Sequence, residues 1–174
     1  VAGRIVAVHA DQGELVKAGS LLAKLDDDAQ RAKLMKSEAA QRQAAATLTR
    51  VQAQRDRVEA NYLQKKNVST RRQTLVGRGA VSEEAAEDAA AAEKIARSDV
   101  NVVEADVAIA KVAQEDAAAQ QRLDTVLLSQ HELRAPFDAR VIARHKELGS
   151  IVNAGEAAFT LVPPESIWVR AFVD

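Results

Sequence analysis

The sequence predicts an α+β protein in which a long antiparallel two-helix coiled-coil hairpin is inserted between two halves of a small β-domain. Three observations carry this. Residues 27–131 are rich in Ala, Glu, Gln, Lys and Arg, and they read as two helical arms on either side of Gly77-Arg78-Gly79-Ala80-Val81. The segments before and after them are strand-like, with β-branched runs separated by Gly. Those two flanking segments are also copies of one another.

The duplication is direct. Shifted by 136 positions, residues 1–25 align without a gap on residues 137–161, with eight identities that include Arg4/Arg140, His9/His145, Gly13/Gly149 and Gly19/Gly155. Strands are expected at Ile5–Val8, Leu15–Val16 and Leu21–Leu25, and Gly13, Gly19, Gly149 and Gly155 are the expected structural turns. Neither half carries enough apolar surface to stand alone, so residues 1–26 and 133–163 should pair into one domain.

Asp26-Asp27-Asp28 precedes the first arm, where carboxylates cap free N–H groups and favour the helix dipole. Each arm has about 48 residues, or about 70 Å at 1.5 Å per residue. On the first arm a heptad seam runs through Leu34, Ala44, Leu48, Val51, Val58 and Tyr62, interrupted by Gln41 and Arg55. Gly77 and Gly79 end this helix and place the tip near 77–82, where Ser82 is a natural N-cap for the second arm. On that arm the aliphatic stripe Ile95, Val102, Ile109, Val112, Leu123 and Val126, with Ser98, Ala105 and Ala119 between, is the expected seam. His131-Glu132 is assigned to the end of the second helix, and Arg134-Ala135-Pro136 to the break that returns the chain to the β-domain.

Composition narrows the function. Lys and Arg number 24 against 25 Asp and Glu, so no nucleic-acid footprint is expected. With no Cys, disulfides and thiol chemistry are excluded. No run of about 20 apolar residues spans a membrane. Acid pairs such as Glu83-Glu84 and Glu87-Asp88 lie on an open helix, and no phosphate loop, nucleophile set or zinc spacing occurs. The chain is not expected to be an enzyme. His9 and His145 occupy equivalent positions and could approach each other, but two imidazoles make a poor metal site and exposed histidines are the simpler reading. Val1 begins inside a strand pattern, and Ile167–Val173 alternates as a strand with no partner after it, so a piece of a longer protein is expected.

The paired pattern V-x-x-G-x-x-V-x-x-G-x-x-L resembles the lipoyl/biotinyl-carrier fold, a flattened β-sandwich of two quasi-identical halves. Carriers hold a cofactor on a Lys in the turn between the halves. Here the hairpin takes that place, and neither Lys24 nor Lys33 sits where a swinging-arm lysine would, so no cofactor is expected. A lipoyl-like domain split by an α-hairpin resembles the membrane fusion protein family, the periplasmic adaptors of tripartite efflux and secretion systems. The resemblance implies a periplasmic protein anchored to the inner membrane by a segment outside this sequence. Its partners would be an outer-membrane channel, an inner-membrane transporter and copies of itself in a ring, a hexamer in the assembled system. Residues 164–174 would open the family's next, β-barrel domain.

Many adaptors carry R-L-x-x-L-x6-S-x3-[LI]-[DE]-x-A at the hairpin tip. Arg71, Leu75, Ser82, Glu87 and Ala89 match it here, while Arg72 and Ala86 each replace an aliphatic residue. The resemblance implies that Arg71, Leu75 and Ser82 contact the channel. An exposed guanidinium could fork onto carboxylates, and a leucine could enter an apolar groove. The same residues also have a purely structural reading, with Leu75 closing the coiled coil, Ser82 capping the second helix and Arg71 solvated. A carrier-like or scaffold domain with a coiled-coil arm, and a purely structural coiled coil, are the alternatives to an adaptor.

Overall fold

A computed structural model describes residues 1–164; the expected strand at Ile167–Val173 lies outside the described residues. In chain order the elements are β1 (Gly3–Val8), β2 (Leu15–Val16), β3 (Leu21–Leu25), α1 (Asp28–Val76), α2 (Glu83–Ser129), β4 (Glu132–Arg134), β5 (Ala139–Arg144), β6 (Ile151–Val152) and β7 (Phe159–Val162). They form two compact units. One holds Val1–Lys36 and the chain from Arg122 onward, the other Ser37–Gln121.

The first unit has two antiparallel sheets, ordered β4-β3-β1-β6 and β2-β5-β7. Each sheet takes strands from both halves of the repeat, since β6 pairs with β1 and β2 pairs with β5. The halves are therefore interlocked, and neither closes a sheet without the other. The duplication extends to individual hydrogen bonds. Ile5 N–H donates to Ser150 O and Val141 N–H to Glu14 O; Gly149 N–H donates to Ile5 O and Gly13 N–H to Val141 O. Register shifts at Ile5/Ala7 and at Val141/Ala143, again 136 positions apart. Gly13 and Gly149 have φ of 91° and 85°, and Gly19 and Gly155 have 81° and 85°. Four glycines share a backbone conformation that side chains rarely adopt. The core lies between the sheets around Val16, Leu22 and Val141 on one side and Ile5, Leu25 and Val152 on the other. Burying each of the largest, Ile5, Leu25 and Val141, contributes about 1.5–3 kcal/mol.

The start of α1 belongs to this unit. Asp26 Oδ1 accepts from Asp28 N–H, and Asp27 O accepts the first helical bond from Arg31 N–H. The Asp27 carboxylate lies beneath Lys24 Nζ at 3.2 Å and Arg31 Nε at 2.9 Å. Burial alone would raise its pKa, but the hydrogen bonds and charges of these two cations outweigh that and hold it below the usual carboxylate range. Gln30 Nε2 reaches the backbone O of Asp124 at 3.2 Å, and both residues are buried. At the other boundary α2 stops at Ser129, earlier than Pro136 would require. His131 N–H closes on Leu128 O and its ring nitrogen meets Leu127 O, so His131 ends the turn. Glu132 pairs with Lys24 as a strand residue and not a helical one.

In the second unit α1 and α2 bury one stripe each. On α1 the half-buried positions are Leu48, Val51, Arg55, Val58 and Tyr62, with Gln41 and Ala44 above them, as the heptad predicts. On α2 the expected seam is displaced. Ile95, Val102, Ile109 and Val112 are 62–68% exposed. The buried stripe is Ala86, Ala89, Ala96 and Ala110, with half-buried Val100, Val103 and Val107 between. The physical reason is volume. Leu48, Val51, Val58 and Tyr62 fill the space on the α1 side, so the closest approach selects small residues opposite.

Candidate functional site: the hairpin tip

The tip is built by one helix stop and one helix start. At the end of α1, Ala80 N–H donates to Leu75 O at 3.0 Å and Gly79 N–H to Val76 O at 2.9 Å. This pair of 6→1 and 5→2 bonds is a Schellman motif, which requires a left-handed residue at Gly79, and its φ is +69°. Gly77 falls two positions earlier and does not have a positive φ. A Cβ there would meet only Thr74 O at 3.7 Å, so its expected role as a turn glycine passes to Gly79 alone. At the start of α2, Ser82 Oγ accepts from Ala85 N–H at 3.3 Å and Ser82 O from Ala86 N–H. Ser82 is the N-cap, with Glu83 and Glu84 in the first turn at the positive end of the helix dipole.

Leu75 is half-buried, and its carbonyl is tied into the Schellman motif. Arg71 is exposed, as are Arg78 and Ser82. The sequence reading missed Arg72. Its Nη1 donates to Ala85 O at 2.9 Å, bridging the last turns of α1 to the first turn of α2. Arg72 and Ala86 are the two departures from the adaptor motif, and both serve the arm-to-arm contact: one spans it, the other is buried in it. A long cation 13 residues before the first turn of a facing helix was the available signal. Ser69 is 1% exposed, and its Oγ has no hydrogen-bond partner among the described residues.

The tip offers a small surface with cations at Arg71 and Arg78, carboxylates at Glu83 and Glu84, and the partly open Leu75 between rigidly capped helix ends. Elsewhere, His9 and His145 are exposed, and His145 Nε2 lies 2.8 Å from Thr160 Oγ1. Among the described residues no group of three or more His, Asp or Glu could hold a metal ion, and no helix is long and apolar enough to cross a membrane. Lys24, the lysine nearest the junction of the halves, is paired with Asp27.

Comparison with known proteins agrees with this architecture. The chain is 31% identical over 98% of its length to the multidrug resistance protein MdtN of Escherichia coli O157:H7, covering 57% of that protein. It is 29% identical over its whole length to the UPF0194 membrane protein YbhG of Salmonella arizonae, covering 60% of it. It therefore spans a little over half the length of the curated relatives it matches. Among solved structures, MacA from Actinobacillus actinomycetemcomitans aligns with TM-score 0.53 at 24% identity, over 94% of this chain and 46% of that one. The membrane fusion protein Spr0693 from Streptococcus pneumoniae R6 aligns with TM-score 0.56 at 15% identity, over 94% and 55%. These two show the shared fold. Residues 1–163 match the family described as RND MFP, barrel-sandwich hybrid domain, and the chain belongs to that membrane fusion protein family.

Proposed function

We propose that this chain is the hairpin and β-domain of a periplasmic adaptor, which joins an inner-membrane transporter to an outer-membrane channel through the hairpin tip. The observation that carries the reading is the tip itself: an exposed, doubly capped turn that presents Arg71 and part of Leu75 at the adaptor-motif spacing. On this reading Ser82 works indirectly, holding the first turn of α2 while Arg71 and Leu75 meet the channel. The transporter would be met by parts of the protein outside this sequence, which would also hold its anchor in the inner membrane. Copies would assemble as a ring, a hexamer in the working system. The role is mechanical, bridging and sealing a conduit while the transporter supplies the energy, and no catalytic step is assigned to the chain.

The test is photo-cross-linking in cells, with a photoreactive residue in place of Arg78 at the tip or Lys111 on the exposed face of the arm. Capture of an outer-membrane channel from position 78 and not from 111 is the expected result. Capture of cytoplasmic proteins alone from position 78 would remove the adaptor reading and leave a scaffold with a coiled-coil arm.

A further inference from the structure

The middle and the upper third of the hairpin are packed differently. In the middle, half-buried Leu48, Val51 and Val58 of α1 stand opposite half-buried Val100, Val103 and Val107 of α2. Above Tyr62 the seam holds almost nothing large. From Leu63 to Thr74 every residue of α1 is exposed except half-buried Val68 and buried Ser69. The buried residues of α2 at these levels are Ala86, Ala89 and Ala96. A seam of Ala and Ser removes far less apolar surface from water than one of Leu and Val, so closing it yields little.

Ser69 lowers that yield further. Its buried Oγ has no hydrogen-bond partner among the described residues. A hydroxyl that has left water without finding a partner favours any state in which it is wetted again. The arms are tied instead above and below this level. Arg72 Nη1 donates to Ala85 O at 2.9 Å above it. Arg97 Nη1 donates to Tyr62 Oη at 3.1 Å below it, with the guanidinium 5.8 Å from the centre of the Tyr62 ring. The antiparallel register between these two ties sets Ser69 level with Ala89. Both arginines are exposed, so their bonds compete with water. Little apolar burial, an uncompensated polar group and wet bonds place this segment at the low end of local stability.

We infer that the arms bow apart between Tyr62 and the capped turn while the seam below stays closed, and that the tip seats on its partner in this open form. Both helices keep their backbone bonds, so the opening is a slot and not an unfolded segment. Tyr62 sets its lower limit, as the last large side chain on the α1 seam before Leu75. Opening wets the Ser69 hydroxyl and breaks the Arg72 link. The freed guanidinium then stands beside Arg71, and the pair can fork onto carboxylates or carbonyls of a partner surface. The opening rests on the packing of the arms alone; its use in docking rests on the adaptor reading.

Cysteines, which the chain otherwise lacks, test both parts. Ala89 is 6% exposed and Ala110 is 7% exposed, and both lie on the inner stripe of α2. Full-length protein carrying Ala89→Cys or Ala110→Cys is treated in membranes with a small maleimide. Labelling at position 89 should be roughly ten-fold faster. Equal rates, or faster labelling at position 110, would overturn the inference. On the Ala89→Cys background, Arg72→Met removes the donor and should speed labelling several-fold, whereas Ser69→Ala should slow it. A rate that neither change moves would overturn the inference as well. If Ala89→Cys lost helical circular dichroism, Ser69→Cys, a change of one atom, repeats the comparison from the other arm. For docking, Ser69→Cys and Ala89→Cys are combined with the photoreactive residue at position 78, and a short bifunctional thiol reagent bridges the arms of one chain. Capture of the channel should fall several-fold on bridging. Capture unchanged by the bridge would overturn the use of the open form. Capture of no channel even without the bridge would remove the adaptor reading, and the labelling rates would then decide the opening by themselves.

Discussion

The β-domain is built twice from one motif, whereas the hairpin is built from two arms that share a period but not a composition. In the β-domain, equivalent positions make equivalent bonds down to the register shifts at Ile5/Ala7 and Val141/Ala143. In the hairpin, α1 half-buries Leu48, Val51, Val58 and Tyr62, whereas α2 leaves Ile95, Val102, Ile109 and Val112 exposed. The difference shows what kind of constraint fixes each region. A left-handed glycine or an interlocked strand pair admits one arrangement, because the alternative is a steric clash or an unpaired backbone group. A heptad repeat admits any stripe with the right period, and volume matching against the partner helix then chooses among them.

That contrast is broken most forcefully at two adjacent residues of α2. Ala110 is 7% exposed on the true seam, and Ile109 is 68% exposed on the outer stripe. Ala110→Glu places an unpaired carboxylate between the arms and should destabilise the hairpin by about 3 kcal/mol. Ile109→Glu, which removes the more hydrophobic residue, should change hairpin stability by no more than about 0.5 kcal/mol. Thermal unfolding followed by helical circular dichroism reads both, at a protein concentration low enough to keep the chain monomeric. The opposite order would return the seam to the aliphatic stripe.

Most of the β-domain was legible because the repeat supplied a second copy of each feature: the three strands of the first half fall within a residue or two of their expected bounds. The α1 seam was legible even at Gln41 and Arg55, since its polar interruptions keep the period. The α2 seam was not. Hydrophobicity ranks Ile109 above Ala110, and a heptad period alone does not say which stripe the volume of the facing helix selects. At the tip the sequence assigned the helix stop to Gly77 and Gly79 together, and only Gly79 takes the left-handed conformation. The difference is two residues in a Schellman count, fixed by which carbonyls the closing amides reach. Arg72 escaped because its partner is a backbone carbonyl, which no residue type advertises.

The equivalence of the two β halves can be sharpened at Gly19 and Gly155. A Cβ at either would have nothing within 4 Å, so a substitution there tests backbone conformation alone. Valine at φ near +80° costs about 1–3 kcal/mol. Gly19→Val and Gly155→Val should therefore lower the protection of β1 and β5 amides in hydrogen exchange by similar factors, while amides in the middle of α1 stay unchanged. A loss at one site and none at the other would mean that the halves share geometry but not energetics, with one of them setting the stability of the domain.

The smallest expected effect compares two serines of the hairpin, 13 residues apart in sequence. Ser82 Oγ satisfies the Ala85 N–H, so Ser82→Ala should cost about 1 kcal/mol by leaving an N-terminal amide of α2 without its cap. Ser69 Oγ is buried without a partner, so Ser69→Ala removes a desolvated hydroxyl and should be neutral or stabilising by up to about 1 kcal/mol. Thermal melting of the two variants should thus move in opposite directions or, at least, differ in the sense Ser69→Ala above Ser82→Ala. If both lowered the melting temperature equally, Ser69 would have to be making a hydrogen bond within the arm, of the kind that Thr70 Oγ1 makes to Lys66 O one residue later. The upper part of the hairpin would then be held by side-chain bonds at both levels, and the small buried stripe of α2 would carry less of the arm-to-arm contact than its burial suggests.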